Sequence, residues 1–466
     1  DPIFRVETET GMRHLNLPAL FTRLGRKEVR HFVGIQRHQY DAFHVFLCYL
    51  AGAILARGGN SDPVQDEEFW REGLLKLAGR AGYEAWQIIS DDDLKPAFMQ
   101  APLSGEKRKP TSIMNTSDQL DLLVTAKNHD LKQARVSAGQ MDTWIYALVS
   151  LQTMSGFYGR GNHGISRMNR GYGNRSIVEL HRGREPGQRW IDAVDRLLEH
   201  RNHVLKQPFG YDPKGVVLIW LEPWDGNNSL ELAKLDPFYI EICRRIRLRG
   251  RGDIECVEFY PSRQPRVSAK ELNGNVGDPW LPVDLKGVKQ GKKDNVKALT
   301  FPPMGITAEH MRRLVFENEL QLSVLQKPKP NWKGDLWLSA SVLVRGQGIT
   351  DGFYNWEIRI PEQKTLSIFK RSAKRDELEK LSRDAVTSAA TMQHRVLKLA
   401  VFTHVLGAPQ NLDLDNPFGK STWVRISRRY ESLWTLEFFP WLFSVPEVFD
   451  EEEEHRRWVK ILQNKA

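Results

Sequence analysis

The hydrophobic pattern changes period along the chain, and each period predicts a different element. Residues 3 to 24 alternate apolar and polar and then shift to a helical rhythm, which predicts extended chain followed by a turn and a short helix. Asp41 to Ala56 (DAFHVFLCYLAGAILA) is apolar on nearly every helical face, which predicts a buried helix. Glu67 to Ala81 is amphipathic and predicts a second helix; Thr143 to Thr153 (TWIYALVSLQT) predicts another apolar one. Gly215 to Leu221, Val257 to Tyr260, Lys297 to Phe301 and Leu336 to Val344 are short, apolar and rich in β-branched side chains, so they read as strands. From Ser372 the spacing changes again. Leu378, Leu381, Ala385, Ala389, Met392, Val396 and Leu399 recur at steps of three and four, a single seam that Gly407 and Pro409 end. Trp423 to Phe439 and Glu447 to Gln463 complete a three-helix tail. The expected fold is α+β: a large mixed N-terminal domain, residues 1–365, followed by a C-terminal helical bundle, residues 366–466.

Composition narrows the class. The 466 residues are 41% hydrophobic and 27% charged, an ordinary globular balance, and too many for one core. Lysine and arginine outnumber the acids 67 to 58, a net charge of +9 that favours polyanionic partners. Cys48, Cys243 and Cys256 are few and widely spaced, which speaks against a disulfide framework or a zinc knuckle and for a reducing, cytoplasmic setting. The apolar run Val45 to Leu55 is too short to span a bilayer, so no membrane role is expected.

Four segments carry candidate chemistry. The densest is Ser155 to Arg175 (SGFYGRGNHGISRMNRGYGNR), where six glycines alternate with Arg160, Arg167, Arg170 and Arg175 and with Phe157, Tyr158 and Tyr172. Glycine lets backbone approach a ligand, arginine offers a charged fork to phosphate, and aromatic faces pack on sugars or bases. Gly159 to Gly164 also fits GxGxxG, but a helix precedes it where a dinucleotide fingerprint needs a strand. The second is Arg244, Arg245, Arg247, Arg249 and Arg251, whose alternation predicts an edge strand with one arginine face, either solvated or laid on a phosphate backbone or a partner. The third, Lys286 to Lys297, reads as a hairpin tip bearing lysines. The fourth, Gly346 to Tyr354, puts small polar residues and then two aromatics between buried-type strands, a composition suited to a wedge in a duplex groove or to an ordinary turn.

Enzyme signatures are largely missing. Gly419-Lys420-Ser421 imitates the end of a phosphate-binding loop, but Leu414 stands where its earlier glycine belongs. There is no HExxH and no GxSxG, and the thirteen histidines are scattered without acidic partners at metal-ligand spacing. No catalytic residue, cofactor or metal is expected. Two other classes remain open: a metal-dependent nuclease drawing acids from Asp91 to Asp93 or from Asp351, and an RNA-binding scaffold that does not read DNA.

Taken in order, these segments resemble the CasA family, the large subunits of type I-E CRISPR Cascade complexes. Asp1 to Val6 is similar to the end of that family's N-terminal DPW-type strand and Ala97-Phe98-Met99-Gln100 to its PFMQ motif. Thr125 to Ser137 falls at its first nucleic-acid loop, Ser155 to Gly164 at its glycine loop, Asp278-Pro279-Trp280 through Gly291 at its lysine hairpin, and Gly346 to Tyr354 at its wedge hairpin. The resemblance implies a non-catalytic subunit in antiviral defence. Such a subunit reads the PAM in double-stranded target DNA, starts R-loop formation and recruits the CRISPR helicase-nuclease, while guide RNA pairing reads the sequence. It implies assembly with the guide RNA complex and the backbone, small and RNA-end-capping Cascade subunits. It implies PAM contacts from Gly159, Arg160, Gly161 and Asn162, with Lys289 or Lys292 reaching a base or sugar edge. Lys127, Asn128 and His129 would lie on the first loop, and Asp351, Gly352 and Phe353 at the wedge. The family wedge often carries Gln and Ala, so the Asp351-Gly352-Phe353 sequence is a departure.

Overall fold

The computed structural model describes residues 1–105, 109–123, 140–171, 173–285, 296–316, 319–345, 350–407 and 409–466. The expectations at Lys127, Asn128, His129, Lys289 and Lys292 lie outside the described residues. Helices and short two- or three-stranded sheets mix in the α+β manner that the pattern predicts. The chain divides into two compact units. One holds Asp1–Ile306, Glu319–Trp332 and Trp337–Glu357; the other holds Thr307–Asn318, Lys333–Leu336 and Ile358–Ala466.

The first unit is organised around helix Arg37–Gly58, buried without a break from Asp41 to Leu55. Its 22 residues exceed the apolar run Val45 to Leu55 and are long and apolar enough to cross a bilayer, but protein wraps them. Helices Met141–Met154 and Pro186–Val204 and strand Leu235–Ile240 pack against it. A capping box between Gln36 and Gln39 starts the helix, and Gly59, in the left-handed region at φ 63°, ends it. A charged network is buried beside it. Arg189 donates to Asp41 Oδ1 (2.8 Å) and to Glu179 Oε2 (3.3 Å), and Trp280 Nε1 donates to the same Glu179 oxygen (2.9 Å). Burial raises the Asp41 carboxyl, but Arg189, Arg37 and a hydrogen bond from Ser341 outweigh it and hold it at about 2. The motif Asp278-Pro279-Trp280 is therefore structural: Asp278 pairs with Arg175 (2.7 Å), and Trp280 is fully buried.

Two sheets carry the segments singled out in the sequence. In one, Leu336–Arg345 lies between Thr350–Ile360 and Ser176–His181, and its antiparallel register with the latter runs from Trp337 opposite His181 to Val342 opposite Ser176. In the other, Val283–Asp284 pairs antiparallel with Lys297–Ala298 on one side and Leu320–Gln321 on the other.

In the second unit, the predicted seam helix is one rod. Ala373–Thr391 continues through a π-helical turn, Met392–Leu397, into Lys398–Leu406, and Gly407 at φ 84° stops it. Pro417–Ser444 packs on Lys398–Leu406, and Glu451–Lys465 packs on Ala373–Thr391. Trp458 fills the junction, its Nε1 donating to Ala385 O (2.8 Å) and its ring against Trp434, Phe438 and Trp441. Ala308–Phe316, from earlier in the chain, also docks on Ala373–Thr391. Gly419 serves packing: a Cβ there would lie 2.7 Å from the Phe402 ring. Lys420 pairs with Asp415.

Candidate nucleic-acid interface

Helix Met141–Met154 stops where Ser155 turns extended and glycines follow. The chain then folds back in a tight turn. Tyr158 N donates to Asn162 O (2.8 Å), Asn162 N donates to Gly159 O (3.0 Å), and Ile165 N returns to Ser155 O (3.1 Å) to close the loop. Gly159 (φ 96°) and Gly161 (φ 88°) hold conformations that side chains resist. A Cβ at Gly159 would meet open space, whereas one at Gly161 would press on Pro261 at 3.0 Å. Ser262 N donates to Gly161 O (3.0 Å) and pins the turn to the body of the unit. Arg160 is exposed at its apex. The amide of Asn162 is spent inside the turn, while those of Gly159, Arg160 and Gly161 make no backbone bond among the described residues.

The remaining arginines of this stretch divide sharply. Arg167 and Arg175 are 2% exposed and serve the core, so the composition suited to a nucleic-acid groove is only partly on the surface. Arg167 donates to Glu241 Oε2 (3.0 Å) and Tyr239 O (2.9 Å), with its guanidinium 3.9 Å from the Tyr239 ring centroid. Arg175 donates to Asp278 Oδ2 (2.9 Å) and Thr153 O (3.1 Å). Arg170 is exposed, its Nε bonded to Asn273 Oδ1 (2.9 Å). Asn174 and Phe301 exchange hydrogen bonds, Nδ2 to carbonyl at 2.8 Å and amide to Oδ1 at 3.0 Å. This ties the end of the glycine stretch to the chain that follows strand Lys297–Ala298.

The second arginine run is also corrected. Arg245–Arg249 is an edge strand, as predicted, but its arginine face points inward. Arg245 donates to Trp224 O (3.1 Å) and Pro261 O (2.8 Å). Arg247, fully buried, donates to the carbonyls of Asp92 and Lys95, and Arg249 bridges Asp93 (2.8 Å) and Glu258 (2.7 Å). Burying a guanidinium demands this pairing, because an uncompensated one would cost several kcal/mol. The neighbour at the start of the run, Arg244, was not singled out in the sequence as a loop residue. It donates to Ser155 Oγ (2.6 Å), to Gly156 O (2.9 Å) and to His163 O, and so buttresses both arms of the glycine loop. His163 is held below its ordinary range by burial and by Arg244, against hydrogen bonds to the Arg263 and Ser262 backbone.

These pairings also weigh on the nuclease alternative. Asp93 is paired with Arg247 and Arg249, and Asp351 is buried in a strand.

The wedge residues sit differently from expectation. Asp351, Gly352 and Phe353 belong to the outgoing strand Thr350–Ile360, not to a turn; the first two are buried, and 346–349 lies outside the described residues. Phe353 leans on the start of the core helix, 6.1 Å from the His38 ring and 6.0 Å from the Arg37 guanidinium. His38 Nε2 in turn lies 2.8 Å from both Asp121 oxygens. Burial pushes the Asp121 carboxyl up, but His38 and bonds from Leu123 and Gln39 leave it below its ordinary value. The next residue of the strand, Tyr354, lies against Gly305 and donates to Pro303 O (3.1 Å). Residues 301–305 thus touch the end of the glycine stretch through Asn174 and strand Thr350–Ile360 through Tyr354.

Comparisons with known proteins bear on this arrangement. No family model matches the chain, and no curated protein matches it by sequence. Solved structures do match. CasA (Cse1) of Thermus thermophilus superposes with a TM-score of 0.61 at 13% identity, over 100% of this chain and 91% of that one. Cse1 of Thermobifida fusca gives 0.63 at 14% identity, over 100% and 90%. The CRISPR-associated protein Cse1 of Acidimicrobium ferrooxidans gives 0.60 at 13%, over 100% and 90%. At such identities the shared property is the fold, and it extends over the whole chain.

Proposed function

From its CasA (Cse1) fold, we propose that this chain is the non-catalytic large subunit of a type I-E CRISPR Cascade complex and acts in antiviral defence. It binds double-stranded target DNA beside the guide RNA complex, reads the PAM and starts strand separation. The observation that carries the reading is the fold likeness to CasA (Cse1) structures over the whole chain, and local contacts fix the segments it singles out. The glycine turn is held by Arg244 and by Ser262 N, the chain after Lys297–Ala298 is tied to Asn174 through Phe301, and strand Thr350–Ile360 shares a sheet with Ser176–His181.

Within this reading, the amides of Gly159, Arg160 and Gly161 approach the PAM from the minor groove, where a degenerate pattern permits a loose signal. The Asn162 side chain is the polar group at the foot of the turn, and the Arg160 guanidinium supplies charge for a phosphate. Lys289 or Lys292 donates to a base or sugar edge, and Lys127, Asn128 and His129 contact nucleic acid on the first loop. The hairpin ahead of Asp351, Gly352 and Phe353 parts the first base pair, with Phe353 holding its base. The backbone, small and RNA-end-capping subunits, the guide RNA and the helicase-nuclease are the partners, and the setting is cytoplasmic.

The test adds the chain to a guide RNA complex lacking its large subunit and measures binding, at fixed salt, to duplexes differing only in a flanking trinucleotide. Affinity that follows the flank and falls in Gly161→Val and Lys289→Ala supports PAM reading. Flank-independent binding that falls steeply with salt would reduce the basic segments to nonspecific phosphate attraction. Equal affinity for RNA and duplex DNA would favour the RNA-scaffold alternative.

A further inference from the structure

Between strand Lys297–Ala298 and helix Ala308–Phe316 the chain reads Phe301-Pro302-Pro303-Met304-Gly305. Gly305 N donates to Pro302 O (2.8 Å), closing a turn. Two prolines stiffen its incoming arm by fixing φ. Gly305 takes φ 83°, and a Cβ there would fall 2.2 Å from the Tyr354 ring, so only glycine lets the ring seat against it. Phe301 is buried below the turn and locked to Asn174, while the Tyr354 hydroxyl holds Pro303 O. The turn is thus clamped between the end of the glycine stretch and the wedge strand. It presents Pro302, Pro303 and Met304 to solvent, with Met304 72% exposed.

A stiff apolar knob is unusual among basic segments. It offers nothing to a phosphate. It suits the stacked edge of a base step, where methionine and proline act as wedges that partly unstack and kink a duplex. Its scaffold also favours this use over flexible surface decoration, because Tyr354 holds Pro303 O and Asn174 holds Phe301 at its base.

We propose that the Pro302–Gly305 turn is a second apolar wedge, and that Met304 contacts duplex DNA at the base step being opened. The inference rests on the reading above. It adds a contact joined through Tyr354 to the strand that bears Phe353, so that the two act on the same step.

The test uses the full chain in the guide-RNA complex, comparing Met304→Ala and Met304→Glu with wild type. A fully paired duplex and one pre-melted at the first target positions are titrated over a salt series, with 2-aminopurine at the first position reporting unstacking. Met304→Ala should weaken binding to the paired duplex on the order of tenfold, the loss expected for an apolar contact of one or two methylene groups. Its salt slope should stay unchanged, since no phosphate contact is lost. Pre-melting should restore wild-type affinity, and Met304→Glu should be worse than Ala on the paired duplex alone. Wild-type behaviour of Met304→Ala, an equal loss on both duplexes, or failure to join the complex would each overturn the proposal. Arg160→Ala serves as the internal control: it should lower the salt slope by about one. If flank dependence and the Arg160 effect are both absent, the function proposed above fails, whatever Met304 does.

Discussion

Arg244 Nη2 lies 2.6 Å from Ser155 Oγ, and the same guanidinium reaches the carbonyls of Gly156 and His163 at the two arms of the glycine loop. One buried cation therefore sets the shape of a segment that carries no regular secondary structure of its own. Replacing it by methionine would remove the donors from three acceptors at once. Arg244→Met should destabilise the first unit by about 2–4 kcal/mol. Amide exchange across 156–165 should rise well beyond the global change. Arg244→Lys should rescue little, because a single ammonium cannot span sites that a planar fork reaches.

The two left-handed glycines should respond differently. Gly159→Ala meets no neighbour and carries only conformational strain, about 1 kcal/mol. Gly161→Val adds a collision with Pro261 and should displace the turn. In the assembled complex, Gly161→Val should cost at least about tenfold in affinity for flank-bearing duplex, and Gly159→Ala only a few-fold. Gel filtration with the guide-RNA complex checks that both variants still assemble; loss of assembly in Gly161→Val would mean the loop is a subunit contact instead.

Phe353 is a prop as much as a tool. Its ring rests on Arg37 and His38, and His38 is fixed by Asp121. Phe353→Ala should lower both thermal stability, by roughly 1–3 kcal/mol, and strand opening. Phe353→Leu should keep most of the stability. If Leu also keeps opening, the aromatic face is not used on a base.

Acid should loosen the first unit through His181. Burial and repulsion from Arg189 push its imidazole down to about 4, although Glu179 opposes them. The folded state thus binds the proton less well than the unfolded chain, whose histidine titrates near 6.5. Stability from this group is complete above about pH 6.5 and is lost as pH falls toward 4. At about 1.4 kcal/mol per tenfold change in proton affinity, the loss is roughly 3 kcal/mol at most. Denaturant melts at pH 7.5 and 4.5 should show the drop, and His181→Gln should shrink it.

Period and propensity made much of the fold legible. The all-apolar run from Asp41 gave the core helix, β-branched density gave Leu336–Arg345, and the three-four seam gave the rod from Ala373. What they could not give was where an arginine points. Arg167, Arg175 and Arg247 find Glu241, Asp278 and Asp93 at separations of 74, 103 and 154 residues, and no local spacing encodes such a partner. The glycine turn was legible because left-handed backbone is written in the residue type itself. The wedge was displaced by a few residues because Thr350 to Tyr354 continues a strand that its Asp and Gly would locally discourage. Arg244, the buttress, was visible only as one basic residue in a row.

The interleaving of the two units has a consequence for synthesis. Ala308–Phe316, whose Met311, Leu314, Val315 and Phe316 are buried, leaves the ribosome long before Ala373–Thr391, a helix that packs on it. In the interval the chain must emit both strands of the wedge hairpin while that greasy helix waits without its partner. A nascent chain halted anywhere between residues 316 and 391 therefore carries an adhesive surface. The tail of the protein is, in effect, the chaperone of its middle.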